Sequence, residues 1–280
     1  MFWNKNRLFC DINPTCYAIS VQKEIFKRHL KDMLGREKFA KTIDNNHIEK
    51  LPNVVSGHSS NMIKRAKGVD LASQENKAVN IMLACKKING MTINPGEVFS
   101  FWKTVGKTSS RNGYKDGRII RKNKLITGTG GGLCNLGNTL HLIVVHSPLS
   151  IIEFHSHSDA LAPDEGKRTP FATGTSVGYN YIDYRFKNIT DQKVQLLVWC
   201  EGEILHAELR SERSFPHCYR LVEENHHFKK EGDKYYRISK IYKETYDGPT
   251  NETIERKLVL DNHSEVLYDY DLIPKDQIRD

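Results

Sequence analysis

The sequence predicts an α+β fold: a mixed, mainly antiparallel sheet with flanking helices, plus a small C-terminal β extension. Three observations carry that expectation. Apolar residues recur at helical spacing in separated stretches, near residues 20–40, 73–89 and 135–146. From 174 to 211 the pattern alternates with period two and is cut by tight-turn signals. The remaining C-terminal residues are charged, with short aromatic runs that favour strands. The expected organisation is a helical and irregular N-terminal segment (1–69), a main domain (70–212) and the β extension (213–280).

In the first segment, Val21, Ile25, Leu30, Met33 and Leu34 lie near helical spacing, and Gly35 ends the run. Residues 41–70 are polar and broken by Leu51-Pro52-Asn53 and Ser56-Gly57, which predicts irregular structure. Ser73 is placed to cap a helix through Asn89, with Ala78, Val79, Met82 and Leu83 at steps of three and four. Asn94-Pro95-Gly96 is a turn. Val98 to Trp102 is β-prone, and Arg118-Ile119-Ile120 reads as a strand after the Gly113–Gly117 turn.

The next helix, Asn135 to His146, carries the stripe Leu136, Leu140, Ile143 and Val144, and Pro148 forbids its continuation. A strand over 149–158 follows, and period two puts His155 and His157 on one face. After a loop, strands are expected over 179–186 and 194–199, with Glu201-Gly202-Glu203 turning into a return strand over 204–209. In the extension, short strands are expected at 235–238, 241–243 and 254–259.

Composition narrows the function classes. The chain has 280 residues, is 38% hydrophobic and 27% charged, and carries a net charge of +8. Lys and Arg are scattered among Asp and Glu, and no nucleic-acid signature is present, so no nucleic-acid partner is expected. No stretch is long and apolar enough for a transmembrane span. The first residues lack the apolar core of a secretory signal, so the expected location is cytoplasmic. The cysteines form no Cys-x-x-Cys pair, which argues against a zinc site built on cysteines, and no metal or other cofactor is expected.

The chemistry concentrates at Gly128-Thr129-Gly130-Gly131-Gly132-Leu133-Cys134-Asn135. A glycine-rich turn opening a helix offers unpaired backbone N–H groups and the positive end of the helix dipole. A cysteine placed there has its thiolate favoured. Cys134 is therefore the candidate nucleophile. His157 or His155 is the candidate base, and Asp159 or Asp183 can orient the imidazole, in the logic of a nucleophile–base–orienter triad. The alternatives are a buried structural thiol and an ordinary turn. Zinc held by Cys134, His155 and His157, with His141 or His146, competes weakly because no second cysteine is near. A phosphate loop is discounted because no lysine follows the glycines.

These residues also carry a resemblance. Gly130-Gly131-Gly132-Leu133-Cys134-Asn135, Ile93 to Trp102 upstream, Glu153-Phe154-His155-Ser156-His157 downstream, and Tyr181 to Asn188 are similar to the VanW family, most strongly over residues 70–210. That family takes its name from a link to glycopeptide resistance, and some cell-wall proteins with such a domain are cysteine L,D-transpeptidases. The resemblance implies peptidoglycan or its precursor peptides as partners. It makes Cys134 an acyl-accepting nucleophile, with Gly130, Gly131, Gly132, Asn135, Phe101 and Trp102 on the substrate side. A non-catalytic accessory that binds a wall precursor or a resistance-cluster partner is the alternative. The chain departs from the family pattern at Asn135, where Gln is usual, at Leu136-Gly137, where Ser-Thr is common, and near Gly174, where many members have Asp.

Overall fold

A computed structural model describes residues 8–41, 48–65, 70–121, 124–156, 160, 163, 169–170, 175–179 and 182–279. The first helix, α1 (Pro14–Leu34), starts six residues earlier than the hydrophobic spacing suggests. Asn13 caps it, its side chain accepting from the Cys16 N–H at 2.8 Å, and Pro14 supplies the preset first-turn φ. No residue of α1 is buried, so polar contacts rather than apolar burial must hold it.

Residues 53–61, expected to be irregular, form β1 (Asn53–Asn61). The helix α2 (Leu71–Ile88) begins two residues before the expected cap, because Asp70 accepts from the Ala72 and Ser73 N–H groups. Its buried Ala78, Ile81, Ala84, Cys85 and Ile88 make one apolar stripe. Then come β2 (Met91–Ile93), β3 (Val98–Ser100) and the short α3 (Phe101–Val105), which Ser100 caps through the Lys103 N–H. A hairpin of β4 (Asp116–Arg121) and β5 (Lys124–Thr129) leads into the glycine turn.

The helix α4 (Cys134–Val145) is buried continuously from Leu136 to Val145. A helix covered all round is a central core helix. Two antiparallel sheets surround it. One orders β1, β9 (Ile204–Ser211), β8 (Val194–Glu201) and β2; the other orders β3, β7 (Arg185–Lys187) and β6 (Ser150–Glu153). The strand expected over 149–158 thus ends at Glu153 among the described residues, and Ser156 beyond it pairs again, with Thr175; residues 157–158 lie outside the described residues.

The C-terminal region is more extensive than the short aromatic runs imply. It forms one sheet in the order β12 (Thr253–Glu265), β11 (Lys234–Asp247), β10 (His217–Glu231) and β13 (Ile278–Arg279). Charged residues hide the alternation in the sequence, yet in the sheet they pair across strands, as Arg220 Nε does with Glu244 at 2.8 Å. The sheet meets the main core where Lys243 Nζ donates to the Ser147 carbonyl at 2.6 Å and Ile241 packs on Leu142 of α4. No helix among the described residues is long and apolar enough to cross a membrane.

Candidate functional site

The glycine turn is shaped first by packing. A Cβ on Gly131 would lie 2.3 Å from the Gly117 carbonyl carbon, so two backbone segments touch there with no side chain between them. Gly130 and Gly132 have φ of +80° and +91°, in the region that favours glycine. Asn80 of α2 clamps the turn: its amide donates to the Lys115 and Gly131 carbonyls, and its carbonyl accepts from the Lys115 N–H. The N–H groups of Gly130 and Gly131 are taken by the Lys115 and Gly128 carbonyls. Those of Gly132, Leu133 and Cys134 reach no backbone carbonyl among the described residues, as the first turn of a helix requires.

Cys134 is the first residue of α4 and is partly exposed. Burial pushes its thiol up, and the N–H groups of Val177 and of Cys134 itself pull only part of the way back. Sulfur and donors are therefore together, but the resting thiol holds its proton. The strand-like segment at 175–177 lies along this face of α4. The Thr175 N–H donates to Asn138 Oδ1 at 2.6 Å, and a Cβ on Gly137 would meet Val177 at 3.3 Å. Gly137, one of the departures from the family pattern, is what lets that segment approach. Asn135, another, ties the helix start to β1: its oxygen accepts from Ser60 Oγ at 3.2 Å and its amide donates to the Asn61 carbonyl at 3.3 Å.

His155 stands in a network of charges. Its Nε2 lies 3.0 Å from Glu153 Oε1, and Glu153 takes both terminal nitrogens of Arg28 at 2.6 Å. No hydrogen bond joins His155 to Cys134 among the described residues. His157 and Asp159 lie outside the described residues. Asp183 is fully committed elsewhere: it accepts from Ser100 Oγ (2.5 Å), Arg185 Nε (2.6 Å), the Trp102 N–H (3.0 Å) and the Tyr184 N–H (2.9 Å). Four donors fill its lone pairs, so it orients the start of α3 and Arg185 rather than an imidazole. Phe101 and Trp102 are 0% and 5% exposed. Trp102 spends its indole N–H on the Ile182 carbonyl at 2.8 Å, so neither ring forms an open groove wall.

Sequence reasoning did not single out Lys77. Its stem lies over Gly132, where a Cβ would come within 2.0 Å of Lys77 Cγ. Burial, with Lys64 and Arg118 adding, brings its ammonium down to about 8. No carboxylate among the described residues pairs with it. Its helical spacing to Asn80 and Ala84 was legible, but its place over the turn depends on the fold. Among the described residues no group of three or more His, Cys, Asp or Glu side chains is arranged to hold a metal ion.

Comparison with known proteins gives these residues a family. A family model described as VanW like protein matches residues 76–210. The vancomycin B-type resistance protein VanW of Enterococcus faecalis is 30% identical over 201 residues, which cover 72% of this chain and 73% of that protein. The uncharacterized protein YoaR of Bacillus subtilis is 32% identical over 123 residues, 44% of this chain and 39% of that protein. No solved structure matches significantly. The family model runs from within α2 through the glycine turn and α4 to near the end of β9, and this chain belongs to the VanW-like family.

Proposed function

We propose that this chain acts in glycopeptide resistance through cell-wall peptide chemistry, as a cysteine-dependent acyl transferase on peptidoglycan peptide stems. The observation that carries the reading is Cys134 at the start of α4, with the Val177 N–H directed at its sulfur and the N–H groups of Gly132 and Leu133 left without backbone acceptors among the described residues. In the reaction Cys134 Sγ attacks a stem carbonyl carbon and its proton passes to a histidine, His157 or His155. The N–H groups of Gly132 and Leu133 hold the oxyanion. The C–N bond breaks, the amine leaves with the proton, and the amine of a second stem takes the acyl group from the thioester. Lys77, poised over Gly132 without a carboxylate partner among the described residues, suits the carboxylate of a stem peptide. A substrate met in the cytoplasm would be a precursor; one in the polymerised wall requires export.

A second reading is favoured by a specific observation. The thiol is held protonated by burial, and His155 is engaged by Glu153. Both suit a protein that binds a wall precursor without turning it over. Incubation of the purified chain with a stem tetrapeptide and a D-amino acid acceptor separates the two. The enzyme reading expects an acyl adduct at Cys134 by intact mass, exchanged product, and loss of both in Cys134→Ala. Stem binding and resistance that survive in Cys134→Ala, with no adduct in the parent, would establish the accessory reading instead.

A further inference from the structure

Away from the glycine turn, a second pair of thiols is brought together. Cys85 lies in the buried stripe of α2 with Ile81, Ala84 and Ile88. On β8, Val194, Leu196, Val198 and Cys200 alternate onto the face that packs against α2, and Cys200 ends that row beside the hairpin tip. The result is a Cys200 Sγ to Cys85 Sγ distance of 3.9 Å between residues 115 apart in the chain. The two sulfurs differ in access: Cys85 is 4% exposed, whereas Cys200 is partly open to solvent.

We propose that Cys85 and Cys200 form a redox-active dithiol that takes a low-molecular-weight disulfide and closes to an internal disulfide between α2 and β8. Cys200 is the entry thiol and Cys85 the resolving one. The Cys200 thiolate attacks one sulfur of the external disulfide, forming a mixed disulfide and releasing one thiolate. Cys85 then gives up its proton to that thiolate, and its sulfur attacks Cys200 Sγ and expels the second thiolate. The protein loses two protons and two electrons, and the external disulfide is reduced to two thiols. Closure requires the sulfurs to approach by about 2 Å, a movement of the size that side-chain rotation supplies. The asymmetry also fits the direction of ionisation. The Cys85 S–H beside Cys200 lowers the Cys200 thiol, while the same hydrogen bond, with burial adding, raises the Cys85 thiol.

The test uses the full chain and oxidised glutathione as the oxidant. The expected product, read by peptide mapping, is a link between 85 and 200 that is lighter by two hydrogens than the two reduced peptides, with no glutathione retained on either residue, whatever the exposed Cys218 takes up. Cys85→Ala should retain one glutathione on Cys200, because nothing resolves the adduct; Cys200→Ala should leave Cys85 unmodified. An acid-quenched time course of the parent protein should show the adduct on Cys200 before the link, which keeps the test independent of how well the Cys85 variant folds. Stable glutathione on Cys200 of the parent without a 85–200 link, or no reaction at Cys200 at all, would overturn the proposal.

Discussion

Arg28 and Glu153, 125 residues apart in the chain, meet in a two-point ion pair with both nitrogen–oxygen distances at 2.6 Å. A second two-point pair, Arg185 with Asp32 at 2.7 and 2.9 Å, runs beside it. Together they dock α1, which has no buried residue, against β6 and β7 where His155 emerges. Burial alone would raise the Glu153 carboxyl, yet Arg28, His155 and Arg185 hold it below its ordinary range. Arg28→Ala leaves that carboxylate half-buried with a weaker set of partners. It should cost about 2–3 kcal/mol in urea unfolding, somewhat below the cost of breaking a fully buried pair. Glu153→Gln together with Arg28→Ala should cost less than the two single changes added. Strict additivity would mean that the pair contributes nothing.

The second prediction concerns the turn. Gly131→Ala places a methyl group 2.3 Å from the Gly117 carbonyl carbon, and backbone cannot step aside as a flexible side chain can. The expected loss is about 3 kcal/mol or more, or failure to fold. Gly57→Ala is the control, since its Cβ would meet nothing closer than 3.7 Å. Equal melting temperatures for the two variants would contradict the close approach.

Why some of this was legible in advance follows from the physics of each element. The helix over 135–146 and the turn at 201–203 rest on local signals, and the structure places them within a residue. The strand at Asn53–Asn61 was not legible, because its polar, glycine-containing sequence becomes a strand only by pairing with β9. The long C-terminal strands were missed for a similar reason: their charges are satisfied by partners on neighbouring strands, which period-two reading cannot see. The same limit governs the site. Cys134 at a helix start is a local property, but the commitment of Asp183 to Ser100 and Trp102, and of His155 to Glu153, arises from residues far away in sequence.

Asp183→Asn tests that reassignment. The change removes the charge that Arg185 Nε faces at 2.6 Å and weakens the hold on the start of α3. The loss should be about 3 kcal/mol of stability. The rate of Cys134 alkylation in the folded protein should stay within twofold of the parent. A large drop in Cys134 reactivity at unchanged stability would restore Asp183 to the reacting centre.

The Cys134 thiol supplies a pH prediction. Because burial raises it, the thiolate is scarce at neutral pH. Alkylation by iodoacetamide, followed by peptide mapping at residue 134, should keep rising about tenfold per pH unit beyond about 8.5, the ordinary cysteine value. A stem peptide that brings a base into hydrogen-bonding reach should shift the profile to lower pH. A plateau already below pH 8 in the free protein would show a thiol activated at rest.

His141 on α4 sets the acid limit of the fold. Its ring stacks on Phe154 at 4.4 Å, and its Nδ1 shares a hydrogen bond with the Tyr184 hydroxyl at 3.3 Å. Burial, with the charge of His146 adding, brings it down from an ordinary 6.5 to about 3. Between those values the unfolded chain binds a proton that the folded chain refuses, so stability is complete above about 6.5 and falls with pH by about 1.4 kcal/mol per unit. His58, lowered mainly by burial, acts in the same direction. The depressed carboxyls such as Glu153 contribute only at lower pH, so the interval from about 6.5 to about 4.5 reports the histidines. His141→Phe preserves the stacking surface and removes the titration. It should be less stable than the parent at pH 7 by about 1–2 kcal/mol, because the Tyr184 hydroxyl loses its partner. Its decline toward pH 5 should be shallower, so that the two urea-unfolding curves converge; parallel curves would show that His141 takes up its proton in the folded state.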